Sequence, residues 1–151
     1  MDKLEWCMRQ KRGIRITKPS AVIAKDYFRK ADEAILMMVH APGVEWKTIG
    51  GYYACYYAIY AFLQRAGVKS EIHECTIASM PLFGFDDSDV RFLEDLKQER
   101  INAQYYIDRK YGAPQGDAVK RFVLNCRARY GRTDFEAIAR RLKLHVKGPR
   151  P

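Results

Sequence analysis

The chain has 151 residues, 48 % of them hydrophobic, and carries a formal net charge of +9. That length fits one domain with a real core, and that composition excludes a disordered chain. The excess charge points to an anionic partner and is uneven: net +4 over residues 1–19, −4 over 20–108 and +9 over 109–151.

Residues 1–19 hold Trp6, Cys7 and Met8, then Arg9, Lys11, Arg12, Arg15 and Lys18. They show no helical period and read as a basic arm pinned by Trp6. The first residues lack an apolar segment, so no secretory leader is expected. Residues 20–151 read as the folded domain. Ser20 is placed to cap a first helix, in which Ala24, Phe28, Ala31, Ile35 and Met38 recur at helical spacing. The run Ala41-Pro42-Gly43 ends it.

The stretch Thr48 to Gln64, TIGGYYACYYAIYAFLQ, has no charge and no proline. Wound as a helix, it sorts Gly50, Gly51, Ala54, Cys55, Ala58 and Ala61 to one side. Tyr52, Tyr53, Tyr56, Tyr57 and Tyr60 fall on the other. It is too short and too rich in tyrosine for a membrane span, which needs about 20 apolar residues. It reads as the central helix of a bundle, running from about Glu45 to Ala66, with Gly67 as its C-terminal stop. The tyrosines read as packing before base stacking.

Ser70 is expected to cap a short third helix, from Glu71 to about Met80. A fourth follows from about Asp89 to Tyr111, with Val90, Leu93, Leu96, Ile107 and Tyr111 as its apolar face. Asp117 is placed to cap a fifth, carrying Val119, Phe122, Val123 and Cys126. Thr133 to Glu136 reads as a capping box for a last, basic helix to about Val146. No strand alternation appears. The expected fold is all-α, an antiparallel up-and-down bundle of about five helices.

Cys7, Cys55, Cys75 and Cys126 are far apart and have no metal spacing. Buried free thiols are expected, and with them a reduced, cytoplasmic protein. No metal or cofactor site is expected.

Arg100 falls inside the apolar face of the fourth helix, with Gln104 one turn on. A buried guanidinium cannot shed its charge and needs a partner. The first reading is an ion pair with an acid such as Glu71 or Glu74; the others are a phosphate or a dimer cleft. His73, at a helix start, reads first as structural.

The pattern YYACYYAIYAFLQRAGVKSEIHE followed by QERINAQYYIDRKYG resembles the HEPN superfamily, small helical bundles of toxin–antitoxin, defence and RNA-processing systems. It looks closest to archaeal stand-alone members. The resemblance implies a homodimer and metal-independent RNase chemistry built on an arginine followed, after four to six intervening residues, by a histidine. Arg100 matches the arginine. The histidine's positions hold Tyr105, Tyr106 and Ile107, so the motif is incomplete.

Tyrosine, with a pKa of about 10, is a poor proton carrier near neutrality. The expected function is therefore a non-catalytic, RNA- or nucleotide-associated protein, paired with a nucleotidyltransferase as family members often are. Arg100, Asn102, Gln104, Arg127, Arg129, Arg132, Arg140 and Arg141 are its candidate binding residues. The alternatives are an RNase using Arg100 with Tyr105, Tyr106 or His73, and a protein-interaction adaptor.

Overall fold

The computed structural model of the chain describes residues 2–147. Seven α-helices and one two-stranded sheet make up the described residues. Around α3 (Val44–Ala66) pack α2 (Ala21–His40), α5 (Asp87–Tyr105), α6 (Gly116–Gly131) and α7 (Phe135–Lys147). The architecture is the expected all-α bundle, and α3 is its buried centre. No described helix is long and apolar enough to cross a membrane. The expected last residues of the bundle, 148–151, lie outside the described residues.

The small side of α3 does what its residues suggest. A Cβ at Gly50 would stand 2.9 Å from the Met38 backbone nitrogen and 3.0 Å from the Ala34 carbonyl oxygen. Only glycine permits α2 and α3 to lie that close. Gly67 ends α3 at φ +77°, its N–H bonded back to Gln64 and Leu63 carbonyls, as expected of a C-terminal glycine.

Several expectations change. The arm is folded: α1 (Lys3–Arg9) is capped by Asp2. It is followed by β1 (Arg15–Ile16), which pairs antiparallel with β2 (Val68–Lys69). Both elements are too short to show a period. Cys7 and Cys75 form a disulfide joining α1 to α4 (His73–Ala78), so only Cys55 and Cys126 are free. Spacing along the chain carried no sign of this pairing, because it depends on α1 folding over α4. Free thiols no longer argue for a reduced location.

The third helix begins at His73, not Glu71. Ser70 Oγ donates to the Ile72 carbonyl instead of capping, and α4 leads into a single 3-10 turn, Met80–Phe83. Asp86 and Asp89 form a capping box at the start of α5. That helix stops at Tyr105, and Ile107 is fully exposed. The Gly112 N–H bonds Glu99 Oε2 at 3.0 Å, and the Pro114 ring crowds Gly51. Residues 106–115 thus fold back over α5 and α3 rather than prolonging the helix. Asp117 lies in the first turn of α6, whose cap position holds Gln115. The capping box at Thr133 does not form. Asp134 Oδ1 accepts the Ala137 N–H, and Thr133 Oγ1 donates back to the Arg129 carbonyl.

Candidate functional site

Tyr52, Tyr56 and Tyr60 recur every fourth residue and so share one face of α3. All three are buried, and their hydroxyls reach the segment carrying α4. Tyr60 donates to the Ser70 carbonyl at 2.8 Å, Tyr56 meets Thr76 Oγ1 at 3.2 Å, and the Tyr52 hydroxyl lies 2.7 Å from His73 Nδ1. The His73 ring stacks on Tyr56 with centroids 4.2 Å apart. At about 1 kcal/mol per hydrogen bond, this ladder is enough to fix His73 in place. The hydroxyls pack α4 onto α3, which is why a tyrosine-rich core helix needs polar partners there.

Arg100 comes to the same place from α5. It is only 7 % exposed. Its guanidinium carbon lies 4.8 Å from the Tyr52 ring, 5.7 Å from Tyr53 and 5.9 Å from Tyr105. Nη1 donates to Gln104 Oε1 at 3.2 Å, while the buried Nε has no hydrogen-bond partner among the described residues. The expected ion pair is absent. Because α4 starts two residues late, Glu71 faces Arg12, Arg15 and Lys69, and Glu74 pairs with Lys3 at 2.6 Å. No described carboxylate lies within ion-pair distance of Arg100. Rings above a guanidinium give cation–π attraction but do not satisfy its N–H groups.

The electrostatics define the protonation states. Burial, then the charges of Arg100 and Lys97, lower the His73 pKa to about 4. Burial, aided by neighbouring Tyr56, raises the Tyr52 phenol well above its ordinary value. Near neutrality the pair is therefore a phenol beside an uncharged imidazole. The hydroxyl and Nδ1 share one hydrogen bond whose direction follows the imidazole tautomer: with Nδ1 accepting, Nε2 carries the N–H, and with Nδ1 donating, Nε2 keeps its lone pair. The charges of Arg100 and Lys97 beside the ring suit an oxyanion, and an imidazole pKa of about 4 is poorly matched to proton transfer at neutral pH.

The other candidate residues divide. Gln104 supports Arg100. Asn102 Oδ1 accepts from Gln98 at 3.0 Å, and Tyr105 is largely exposed. Tyr106 lies beyond α5 with the Arg109 guanidinium carbon 3.6 Å above its ring. Arg127 is committed to Asp32 at 2.6 Å and to the Phe28 ring. Arg129, Arg132 and Arg141 line a separate cleft between the 3-10 turn and α7, and Arg140 is outside that lining. In the arm, Arg9 pairs with Glu5, and Arg12 and Arg15 with Glu71.

Sequence reasoning passed over Lys97 and the individual roles of Tyr52 and Tyr53. Lys97 was findable, standing one turn before Arg100 on the same helix. No protein-family model matches the chain, and no curated protein is significantly similar to it.

Proposed function

We propose that this is a non-catalytic RNA- or nucleotide-binding protein of the HEPN type, with Arg100 as its phosphate site. One observation carries the reading: a buried guanidinium whose Nε has no partner and which no carboxylate faces among the described residues. Such a group is costly in the empty protein and gains most from an anion that satisfies it. A phosphodiester oxygen matches its fork, and His73 Nε2 and Lys97 supply further donors. On the HEPN reading two chains pair through α5, whose exposed Tyr105, with Tyr106 and Ile107 just beyond, supplies apolar surface. A nucleotidyltransferase is the partner that reading suggests.

RNase activity is the second reading, favoured by His73 lying near enough to Arg100 for that charge to lower the imidazole pKa. It requires the opposite tautomer, with Tyr52 accepting from Nδ1 and Nε2 left as a base. Gel-shift titration of single-stranded RNA at two salt concentrations, with the RNA afterwards run on a denaturing gel, tests both. Intact RNA bound in a salt-dependent way, with about 0.7 counterion released per neutralised phosphate, supports the first reading. Cleavage lost in His73→Gln supports the second. No binding at low salt contradicts both.

A further inference from the structure

An arginine cluster stands apart from Arg100. A cleft of about 420 Å³ opens between the 3-10 turn with Gly84 and the start of α7. Arg129, Arg132 and Arg141 line it, with Asp134 and the apolar Leu82 and Ile138. None of the three arginines has a carboxylate within ion-pair distance among the described residues.

Arg129 is held in position. Its guanidinium carbon lies 4.8 Å from the Phe85 ring, and its Nη1 packs against Gly84, where a Cβ would come within 2.9 Å. Gly84 sits at φ +85°, which favours glycine on its own account. The turn therefore leaves room for the guanidinium at the cleft wall. Asp134 is the one acid of the lining, and it is occupied with the Ala137 N–H that it caps. Three like charges around one open cavity repel each other, and a multiply charged anion relieves that repulsion.

Charge selects the ligand. Three guanidinium groups against one carboxylate leave the cleft about two positive charges in excess. A phosphate monoester carries between one and a half and two negative charges near neutrality, roughly as a phosphoserine does, whereas an internal phosphodiester carries one. We infer that this cleft binds a terminal, dianionic phosphate: that of a free nucleotide or inorganic phosphate, or the phosphorylated end of an RNA strand. Planar guanidinium forks match its oxygens, and Leu82 and Ile138 leave an apolar wall for the group it is attached to.

The test uses the full chain and a single-stranded RNA of about ten nucleotides, with either a 5′-phosphate or a 5′-hydroxyl. Inorganic phosphate and adenosine 5′-monophosphate serve as competitors and as additives in thermal melts. Charge-assisted hydrogen bonds of this kind predict roughly tenfold tighter binding of the phosphorylated strand. Arg132→Gln/Arg141→Gln, at two exposed positions, should abolish that preference. Arg140→Gln, outside the cleft, should keep it. Arg100→Gln should weaken both strands and leave their ratio unchanged, which separates this cleft from the Arg100 site.

If phosphate and the mononucleotide raise the melting temperature of the wild type but not of the double variant, while the two strands bind alike, the ligand is a free phosphate. The assignment is overturned if no phosphorylated probe is preferred over its unphosphorylated counterpart and phosphate does not stabilise the protein. It is equally overturned if the preference survives Arg132→Gln/Arg141→Gln.

Discussion

The Tyr52 hydroxyl lies 2.7 Å from His73 Nδ1, and the two rings stack at an interplanar angle of 18°. This pairing, with the stacking on Tyr56, fixes the ring of a histidine close to Arg100, the residue we propose as the phosphate site. The phenol does not ionise near neutrality and the imidazole does not protonate, so the contact stays a hydrogen bond between neutral groups throughout that range.

A pH dependence follows. The His73 pKa is lowered from 6.5 to about 4 in the folded chain. Between those values the unfolded state binds the proton and the folded state does not, so stability falls as pH drops from 6.5 towards 4. It is fully present above the unfolded pKa. Tyr52, Tyr56, Arg100 and Lys97 face this ring, with Glu74 beside it on α4. Allowing for partial solvent access, the loss is on the order of 1 kcal/mol, or a few degrees in melting temperature. Melts at pH 7, 6 and 5 of the wild type and of His73→Gln should show a slope that the variant lacks. Equal slopes would mean that His73 titrates normally.

Leu93 is fully buried on α5, about two turns before Arg100 and on the same face. Leu93→Asp places an unpaired charge in the core and should cost several kcal/mol, enough to unfold a domain of this size at modest temperature. Circular dichroism melts check it. An unchanged melting temperature would contradict the phase of α5 and, with it, the burial of Arg100.

Gly50→Ala forces a Cβ against the Met38 nitrogen and the Ala34 carbonyl, both backbone atoms. They cannot swing aside as a side chain would, so α2 and α3 must separate. The expected cost is about 1–3 kcal/mol, opposite in sign to the usual gain from glycine to alanine in a helix. Denaturant unfolding decides the sign.

The disulfide closes a loop across a separation of 68 residues. In the chain-entropy account such a cross-link is worth roughly 4 kcal/mol. Thiol labelling of the unfolded, unreduced chain should count two reactive cysteines, rising to four after reduction. The reduced protein should melt lower. Four reactive thiols without reductant would contradict the Cys7–Cys75 bond.

The central helix, its glycine stop and the buried phase of Leu93, Leu96 and Arg100 were readable because each shows within one helix at fixed spacing. What was hidden depends on contacts between distant segments. Cys7 meets Cys75 only once a seven-residue helix has formed in a stretch with no period of its own. Glu71 looked like a partner for Arg100 because nothing local reveals that α4 begins at His73, which leaves Glu71 to the arm. The end of α5 was misplaced for the same reason: Ile107 continues the apolar spacing, but the fold-back of Gly112 onto Glu99 overrides it. The site was half legible. Arg100 was conspicuous as a charge on an apolar face, whereas the Tyr52–His73 contact appears only when α4 packs on α3.

The central claim is that Arg100 is kept for an anion rather than for the fold. Arg100→Gln removes the charge without leaving a carboxylate unpaired, since none faces it among the described residues. The decisive measurement is RNA affinity of this variant at low salt, taken beside its melting temperature. The account predicts binding weakened at least tenfold, as the loss of a charge-assisted contact implies, with the melting temperature within a few degrees of the wild type. Unchanged RNA affinity, or a collapse in stability, would contradict it.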